Sequence, residues 1–188
     1  MIPKIIHYSW VGTTIPRNVV DRINEWDSKL PDYKFMYWNE GNYDFSKFKF
    51  TRDKMKNHQW GYVTDELRYD VLYNYGGVYM DTDMIIKKNI SDFLNQKMVW
   101  GFQYDNAILT AFIGSEPHNH LLKEILAQYS DEGNFDSLNR MVNNPFVTNV
   151  FIKRYGDAFT LNNKLQELED GLVVYPRDYF CYPSHNDN

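Results

Sequence analysis

Two aspartates stand one residue apart near the middle of the chain, directly after a short apolar run. Asp81 and Asp83 follow residues 78–80, which show no polar alternation and predict a strand buried on both faces. In extended chain, residues two apart point the same way, with α-carbons about 6.6 Å apart. Two such carboxylates repel each other unless a cation lies between them, and Mg²⁺ and Mn²⁺ both accept oxygen ligands. The pair therefore predicts a divalent metal site that keeps open positions for phosphate oxygens.

The segment before this strand predicts a helix that carries a second polar pair. Apolar residues recur every four positions from Val63 to Val71 and form one stripe. Asp65 and Arg68 are three residues apart and are predicted to share the face opposite that stripe. Gly76 predicts the end of the helix, since glycine accepts a left-handed backbone. An exposed ion pair alone contributes under about 1 kcal/mol. Beside the two aspartates, we expect this pair to contact the hydroxyl, phosphate or sugar oxygens of a ligand.

The rest of the chain alternates strand and helix patterns, which predicts an α/β domain with one mostly parallel sheet flanked by helices. A strand near Ile5, a helix over 16–30 and a strand over 34–38 are joined by short connections, as parallel strands require. Further strands are predicted over 98–102, 108–113 and 172–175, and helices over 51–59, 117–129 and 147–155. Residues 130–146 are predicted to be rich in loops.

Trp10 lies just past the first predicted strand. Ligands of open α/β sheets bind outside the carboxyl ends of the strands, so Trp10, Asp81 and Asp83 are predicted to lie on one rim of the sheet. An indole at this position is a candidate platform on which a nucleotide base stacks, and the alternative is a core residue at the end of a strand.

Composition limits the class of protein. A length of 188 residues fits one domain, and a net charge of −5 argues against nucleic acid as a partner. The single cysteine, Cys181, fits a reducing compartment. The first residues are too polar for a signal peptide, and no run approaches 18 apolar residues. We therefore expect a cytoplasmic protein, at most peripheral at the inner face of the membrane.

Three segments together resemble a known family. The sequence IPKIIHYSW, then TDELR, then LYNYGGVYMDTDM, within residues 2–115, resembles the DXD glycosyltransferases of family 32 and is also similar to the glucosylating domain of large clostridial toxins. The resemblance implies a GT-A fold and transfer of a hexose, with retained anomeric configuration, from a UDP- or GDP-sugar to a glycan or lipid-linked acceptor in polysaccharide synthesis. It also implies a divalent cation, Mn²⁺ or Mg²⁺, and a base stacked on Trp10.

The resemblance assigns roles to the other candidate residues. Asp83 would bind the metal directly, and Asp81 would reach the ribose or sugar and, through water, the metal. Asp65 and Arg68 would contact the donor sugar and the diphosphate. Arg68, Asp81 and Asp83 would together form the catalytic set. Asn106 is a candidate for the sugar or acceptor side.

The chain departs from the family near its end. Family members continue past a Tyr-Phe-x-Pro-like segment, here Tyr179–Pro183, into a tail that closes over the metal and diphosphate. Residues 1–188 are accordingly expected to form a single GT-A-like domain that lacks this C-terminal lid.

Two alternatives to a transferase stay open at this point. One is a module that binds a sugar nucleotide or a glycan without turnover. The other is a haloacid-dehalogenase-like phosphatase, whose D-x-D also follows a hydrophobic strand. That family carries a second acidic pair after a later strand. In this chain Glu169 and Asp170 instead precede the strand predicted over 172–175.

Overall fold

A seven-stranded sheet organises the part of the chain that the computed structural model describes, residues 1–140 and 143–181. The strands are β1 (Ile5–Ser9), β2 (Lys34–Trp38), β3 (Gly77–Met80), β4 (Met98–Tyr104), β5 (Ala107–Ser115), β6 (Gln166–Leu168) and β7 (Leu172–Tyr175). The helices are α1 (Arg17–Lys29), α2 (Lys49–Lys56), α3 (Trp60–Val63), α4 (Leu67–Tyr75), α5 (His120–Ser130), α6 (Phe135–Arg140) and α7 (Asn143–Tyr155).

The strand order is β2-β1-β3-β5-β4-β7-β6. Pairing is parallel between β1 and β2, β1 and β3, and β4 and β7, and it is antiparallel where β5 or β6 takes part. The strands β1, β2, β3, β4 and β7 therefore run one way, and β5 and β6 run the other. This mixed sheet confirms the predicted α/β class, and it places the carboxyl ends of β1 and β3 side by side.

Helices cover both faces of the sheet, and β3 shows why. Its residues alternate between two apolar cores, since successive side chains of a strand point to opposite faces. Val78 and Met80 pack with Trp26 of α1 in one core, whereas Tyr79 packs with Leu67 of α4 in the other. The strand is buried throughout, as predicted. Within the described residues, no helix has the length and apolar character needed to cross a membrane.

Most predicted elements are present, and the exceptions have physical causes. The prediction of loops over 130–146 is wrong in part, because α6 and the start of α7 lie there. The sequence signal is weak since α6 has only six residues and α7 contains Pro145. Strand β6 has three residues on the sheet edge, too few to show a period. Helix α2 lies over Lys49–Lys56 rather than 51–59, and it buries Phe50, Thr51 and Lys54.

The predicted helix from Val63 onward is interrupted. Residues 64–66 form a turn between α3 and α4, and α4 then buries six consecutive residues, 67–72. The prediction that Asp65 and Arg68 share a helical face opposite the apolar stripe is therefore wrong, because Asp65 lies in the turn and both residues are buried, at 6% and 4% exposure. The expectation for Gly76 is confirmed: it ends α4 with a φ of 62°, a backbone conformation that glycine adopts without strain.

His7 joins β1 to its surroundings in the neutral state. Its Nε2 lies 2.8 Å from the Gly76 carbonyl oxygen and donates to it, while its Nδ1 accepts from Trp38 Nε1 at 3.1 Å. Burial lowers the pKa of His7 to about 4, although the Gly76 carbonyl opposes the shift. The imidazole therefore fixes the turn before β3 against β1 and β2 and stays uncharged at neutral pH.

A buried polar cluster attaches the loop before α2 to the start of α4. Tyr43 Oη contacts one Glu66 carboxylate oxygen and lies 2.9 Å from Asp70 Oδ2, while Thr51 donates to the other Glu66 oxygen. Lys47 pairs with Asp70 at 2.7 Å. Burial raises the pKa of Glu66 to about 7, although the hydrogen bonds that Thr51 and Tyr43 donate to it oppose the rise.

We predict that the Glu66→Gln variant gains stability relative to the unmodified protein as pH rises. A carboxyl whose pKa is about 4.5 unfolded and about 7 folded binds more protons in the folded state between those values. The free energy of unfolding of the unmodified protein therefore falls as pH rises from about 4.5 to about 7, and a glutamine does not titrate. Urea unfolding of both proteins at pH 5 and pH 8 measures the difference. A stability difference that favours Glu66 more strongly at pH 8 would contradict this assignment.

Candidate functional site

Two cavities open beside the carboxyl ends of β1 and β3. The first cavity, of about 410 Å³, is lined by residues after β1, by α3 and the turn after it, and by residues at the end of β3. Its lining residues are Ser9, Trp10, Val11, Trp60, Gly61, Thr64, Arg68, Tyr79, Asp81, Thr82 and Asp83. The structure thus brings together the three residues that the rim of the sheet was predicted to carry.

The second cavity, of about 740 Å³, lies between α3, the β4–β5 hairpin and α7. Gly61, Arg68 and Asp81 line both cavities, so they form the boundary between them. Asp65 and Asn106 line the second cavity alone. All six residues that the sequence singled out therefore line one or both of two adjoining cavities.

Arg68 occupies the boundary, and its guanidinium is enclosed by acceptors. Nη1 donates to the Thr110 carbonyl oxygen at 2.7 Å and lies 3.5 Å from Asp81, while Nη2 lies 3.4 Å from Asp65 Oδ1. The Tyr79 ring lies 4.9 Å from the guanidinium carbon, within the range of a cation–π interaction. Burial alone would lower the pKa of Arg68, but Asp81, Tyr79 and Asp65 raise it, so its charge is permanent.

Asp65 is the buried partner of this charge. Besides Arg68, its Oδ1 accepts from Asn143 Nδ2 at 3.2 Å, and Asn143 Oδ1 in turn accepts from Tyr69 Oη at 2.6 Å. Burial raises the pKa of Asp65 to about 7, Asp81 adds to the rise, and Arg68 opposes it. The structure therefore fixes this carboxyl from two sides at the inner wall of the second cavity.

Asp81 and Asp83 lie on a turn, so the expected extended geometry is wrong there. The Met84 amide donates to the Asp81 carbonyl oxygen at 3.1 Å, and Thr82 and Asp83 form the corner. Both side chains nevertheless line the first cavity. Asp81 is 33% exposed and pairs with Arg68, whereas Asp83 is exposed and forms no ion pair with the described residues.

This donor set fits a hard divalent cation. Two carboxylates at an accessible cavity mouth supply oxygen ligands, and residues 1–140 and 143–181 contain no cluster of three or more His, Cys, Asp or Glu side chains that could enclose an ion. Mg²⁺ is commonly held by one or two carboxylates together with waters and substrate phosphates. The arrangement therefore suits an ion whose remaining positions are completed by a phosphate-bearing ligand.

Helix α1 holds the segment that carries the two acids. Three side chains of this helix donate to every second carbonyl oxygen after β3. The pairs are Arg22 Nη1 to Thr82 at 2.8 Å, Trp26 Nε1 to Met84 at 3.0 Å and Lys29 Nζ to Ile86 at 2.5 Å. We call this set of three bonds the carbonyl ladder.

Two tryptophans also line the first cavity. Trp10 Nε1 donates to Thr13 Oγ1 at 3.2 Å, which holds the indole in the loop after β1. Gly12 permits the close approach of Trp60, because a β-carbon at Gly12 would lie 2.4 Å from Trp60 Cε2, and the φ of Gly12 is 83°. The cavity thus offers two indoles as well as two carboxylates.

Sequence reasoning missed several residues that complete the site. Trp60 forms part of the wall of the first cavity. The Thr110 carbonyl oxygen accepts from Arg68, and the Asn143 amide donates to Asp65. These contacts join segments far apart in the chain. Gly12 beside a distant tryptophan, and Asn143 in a segment predicted as loop, carry no local pattern that reveals them.

The fold and site define a class: an α/β domain with paired acids on a strand-end turn beside an aromatic cavity. Residues 16–104 match the protein family described as "Glycosyltransferase sugar-binding region containing DXD motif". These residues, just under half of the chain, therefore resemble the sugar-binding region of the DXD glycosyltransferases, and the resemblance seen in the sequence is confirmed.

Two yeast proteins are similar to parts of this chain. The chain is 34% identical over 87 residues to mannosyl phosphorylinositol ceramide synthase SUR1 of Saccharomyces cerevisiae, and this alignment covers 44% of this chain and 23% of that protein. It is 31% identical over 102 residues to inositol phosphoceramide mannosyltransferase 1 of Schizosaccharomyces pombe, covering 50% and 32%. The chain thus spans about a quarter to a third of the length of these two relatives.

One viral relative and one solved structure extend the likeness over more of the chain. An uncharacterized glycosyltransferase, L373, of Acanthamoeba polyphaga mimivirus is 24% identical over 216 residues, covering 100% of this chain and 82% of that protein. The structure of PaToxG glycosyltransferase superposes with a TM-score of 0.66 at 18% identity, covering 81% of this chain and 68% of that chain. At this identity the superposition supports the fold.

We predict that Arg22→Met weakens Mn²⁺ binding about tenfold, because it removes the carbonyl-ladder bond between the two acids while retaining an unbranched apolar stem. Arg17→Met on the same helix is the matched control, since within residues 1–140 and 143–181 the ion pair of Arg17 is with Asp21 on the surface. Electron paramagnetic resonance of free Mn²⁺ measures both affinities. Equal dissociation constants for the two variants would show that the ladder does not position the acids.

Proposed function

We propose that this protein is a metal-dependent, retaining glycosyltransferase that moves a hexose from a UDP- or GDP-sugar to a hydroxyl of a glycan or lipid-linked acceptor. The observation that carries the proposal is the boundary between the two cavities. There Arg68 and Asp81 separate an aromatic, acidic cavity from a larger amide-rich one. A donor that spans this boundary places the bond between its hexose and its diphosphate, which breaks during transfer, beside a fixed positive charge.

The first cavity suits the nucleotide diphosphate. Its indoles, Trp10 and Trp60, offer apolar faces on which a base stacks, a contact worth about 1–3 kcal/mol. The same cavity is lined by Asp81 and Asp83, the oxygen donors suited to a cation that accompanies a diphosphate. One cavity therefore offers both kinds of group that a nucleotide diphosphate needs, a stacking surface for the base and carboxylates for the cation.

Asp83 is the residue we assign as direct metal ligand, with Asp81 acting through water. Asp83 is exposed and unpaired among the described residues, so its oxygens are available, whereas Asp81 shares its charge with Arg68. A bound divalent cation acts as a Lewis acid that neutralises the departing diphosphate, worth several kcal/mol. The carbonyl ladder holds both side chains at the cavity mouth.

The transferred hexose belongs beside Asp65 and Arg68. Both line the second cavity where it meets the first. The fixed guanidinium favours the charge that develops on the departing phosphate oxygen and needs no reorganisation, since Asp65, Asp81 and Thr110 already orient it.

The carboxylates also favour retention of configuration. Inversion needs a carboxylate free to take the acceptor proton, whereas both described carboxylates that line the second cavity, Asp65 and Asp81, pair with Arg68. In a retaining route the departing diphosphate oxygen accepts that proton on the same face of the sugar, so no base is required from the described residues.

The two alternatives make different demands. A phosphatase of the haloacid-dehalogenase type needs a second acidic pair at the site, but Glu169 and Asp170 line neither cavity, and Asp170 pairs with Arg154. A binding module without turnover shares the donor site described above, so turnover itself distinguishes it from a transferase.

We predict that the unmodified protein hydrolyses or transfers from a UDP- or GDP-hexose in the presence of Mn²⁺, and that Asp83→Ala abolishes this turnover. The reason is the loss of the assigned metal ligand. Asp27→Asn, on the exposed face of α1, is the control and keeps full activity. Release of nucleoside diphosphate is the measurement, and NMR of the transferred sugar reports its anomeric configuration. Nucleotide-sugar binding without turnover would assign a binding module instead.

We predict a separate effect at the base end of the cavity. Trp10→Ala should raise the donor Kd about tenfold, because stacking contributes about 1–3 kcal/mol. Trp10→Phe keeps an aromatic face and should recover most of the affinity. Titration calorimetry with UDP and GDP in Mn²⁺ measures both. If alanine and phenylalanine weaken binding equally, Trp10 does not act by stacking.

A further inference from the structure

The second cavity has many more lining residues than the three that it shares with the first. Its volume of about 740 Å³ lies in the upper part of the roughly 300–1,000 Å³ range of small-molecule sites. Three of its lining residues, Asp65, Arg68 and Asp81, are assigned above to the donor and its cation. The remainder of its lining comes mainly from the β4–β5 hairpin and α7, which the proposed donor is not assigned to contact.

Side-chain amides line this remainder of the cavity. They come from Gln103 and Asn106 on the hairpin and from Asn144 and Asn149 on α7. Asn144 is fixed, because its Nδ2 donates to Gln103 and its Oδ1 accepts from Thr110 Oγ1 at 2.5 Å. Asn106 and Asn149 are exposed and their side chains form no hydrogen bond within the described part of the chain. An amide presents a donor and an acceptor together, which suits the hydroxyl groups of a polyol.

Apolar side chains complete the cavity wall. Among the described residues, nine large hydrophobic side chains are exposed, and four of them line this one cavity. The four are Tyr62, Tyr104, Ile152 and Leu161, with exposures of 39%, 50%, 44% and 36%. Aromatic and aliphatic faces beside hydrogen-bonding amides match the two surfaces of a sugar ring, which has apolar C–H faces and a polar edge.

The charges of the second cavity disfavour an anion. Its charged lining residues in the described part of the chain are Asp65, Asp81 and Arg68, a formal sum of −1. The one cation among them is already bound by both carboxylates and by the Thr110 carbonyl. Recognition of a phosphate relies on charge-assisted bonds from Arg or Lys that are free to point at it. The same wall serves an uncharged ligand without penalty.

We infer that the second cavity binds the acceptor, and that the acceptor presents an uncharged terminal sugar residue rather than a phosphorylated headgroup. The identification of this ligand as the acceptor rests on the proposed function, whereas the binding of a sugar in the second cavity does not. Asn106 and Asn149 are the residues we assign to its recognition, one from each wall of the cavity.

Binding of two small probes tests the inference directly. We expect uncharged methyl hexopyranosides, in a panel of mannose, glucose and galactose, to give saturation-transfer NMR signals that inositol 1-phosphate at equal concentration does not displace. Asn149→Ala and Asn106→Ala should each weaken the binding of the preferred glycoside about three- to tenfold, the effect of losing one hydrogen bond. Asn18→Ala is the matched control, because Asn18 is also an exposed helical asparagine without a side-chain bond in the described chain.

The same variants separate this inference from the proposed function. With a nucleotide sugar and Mn²⁺ present, each cavity variant should lower the ratio of glycoside transfer to donor hydrolysis relative to Asn18→Ala. Inositol 1-phosphate binding as tightly as the glycosides, or cavity variants that match Asn18→Ala, would overturn the inference even if donor turnover is intact. Glycoside binding that depends on Asn149 without any donor turnover would uphold the cavity assignment and remove the transferase.

Discussion

The buried guanidinium of Arg68 is the constraint on which the rest of the site depends. A permanent charge at 4% exposure is tolerated only because two carboxylates and a carbonyl oxygen surround it. Those acceptors come from the turn after α3, the turn after β3 and strand β5, so satisfying one charge fixes three segments. The same requirement explains why Asp65 is buried beside Arg68 even though burial disfavours its charged form and raises its pKa. The charge lies where two cavities meet, and the packing of the fold thereby determines the geometry of the site.

The sheet and its flanking helix then supply what a single ion pair does not. Parallel pairing of β1 with β3 brings the loop that carries Trp10 beside the turn that carries Asp81 and Asp83. Helix α1, which packs on the opposite face from α4, reaches under that turn with the carbonyl ladder. A turn that must present two acids to solvent has few apolar contacts of its own. Side-chain hydrogen bonds from the well-packed helix α1 to backbone carbonyls of this segment replace them, and Asp83 has no ion-pair partner among the described residues.

How much of this could be read from the sequence depended on whether the signal was local. Patterns of residues close together in the chain predicted three features that the structure contains. They are the strand before Asp81, the end of α4 at Gly76 and the β1–α1–β2 unit. The burial of Arg68 was missed because helical periodicity predicts which residues share a face but not whether an acid and an arginine face the core together. Trp60, Thr110 and Asn143 were missed because their partners lie 40 or more residues away. The α7 wall of the second cavity was hidden for a second reason, since its Asn-Asn-Pro start is as typical of a turn as of a helix.

The central claim is that one site binds a nucleotide sugar and a divalent cation jointly, and a thermal-shift titration tests it most directly. A ligand that binds only the folded state raises its unfolding midpoint by linkage. The account predicts that a UDP- or GDP-hexose and Mn²⁺ together raise the midpoint by more than the sum of their separate effects, since the diphosphate completes the coordination that Asp81 and Asp83 begin. If no UDP- or GDP-sugar shifts the midpoint with Mn²⁺ present, or if the shift does not depend on the metal, the account is contradicted.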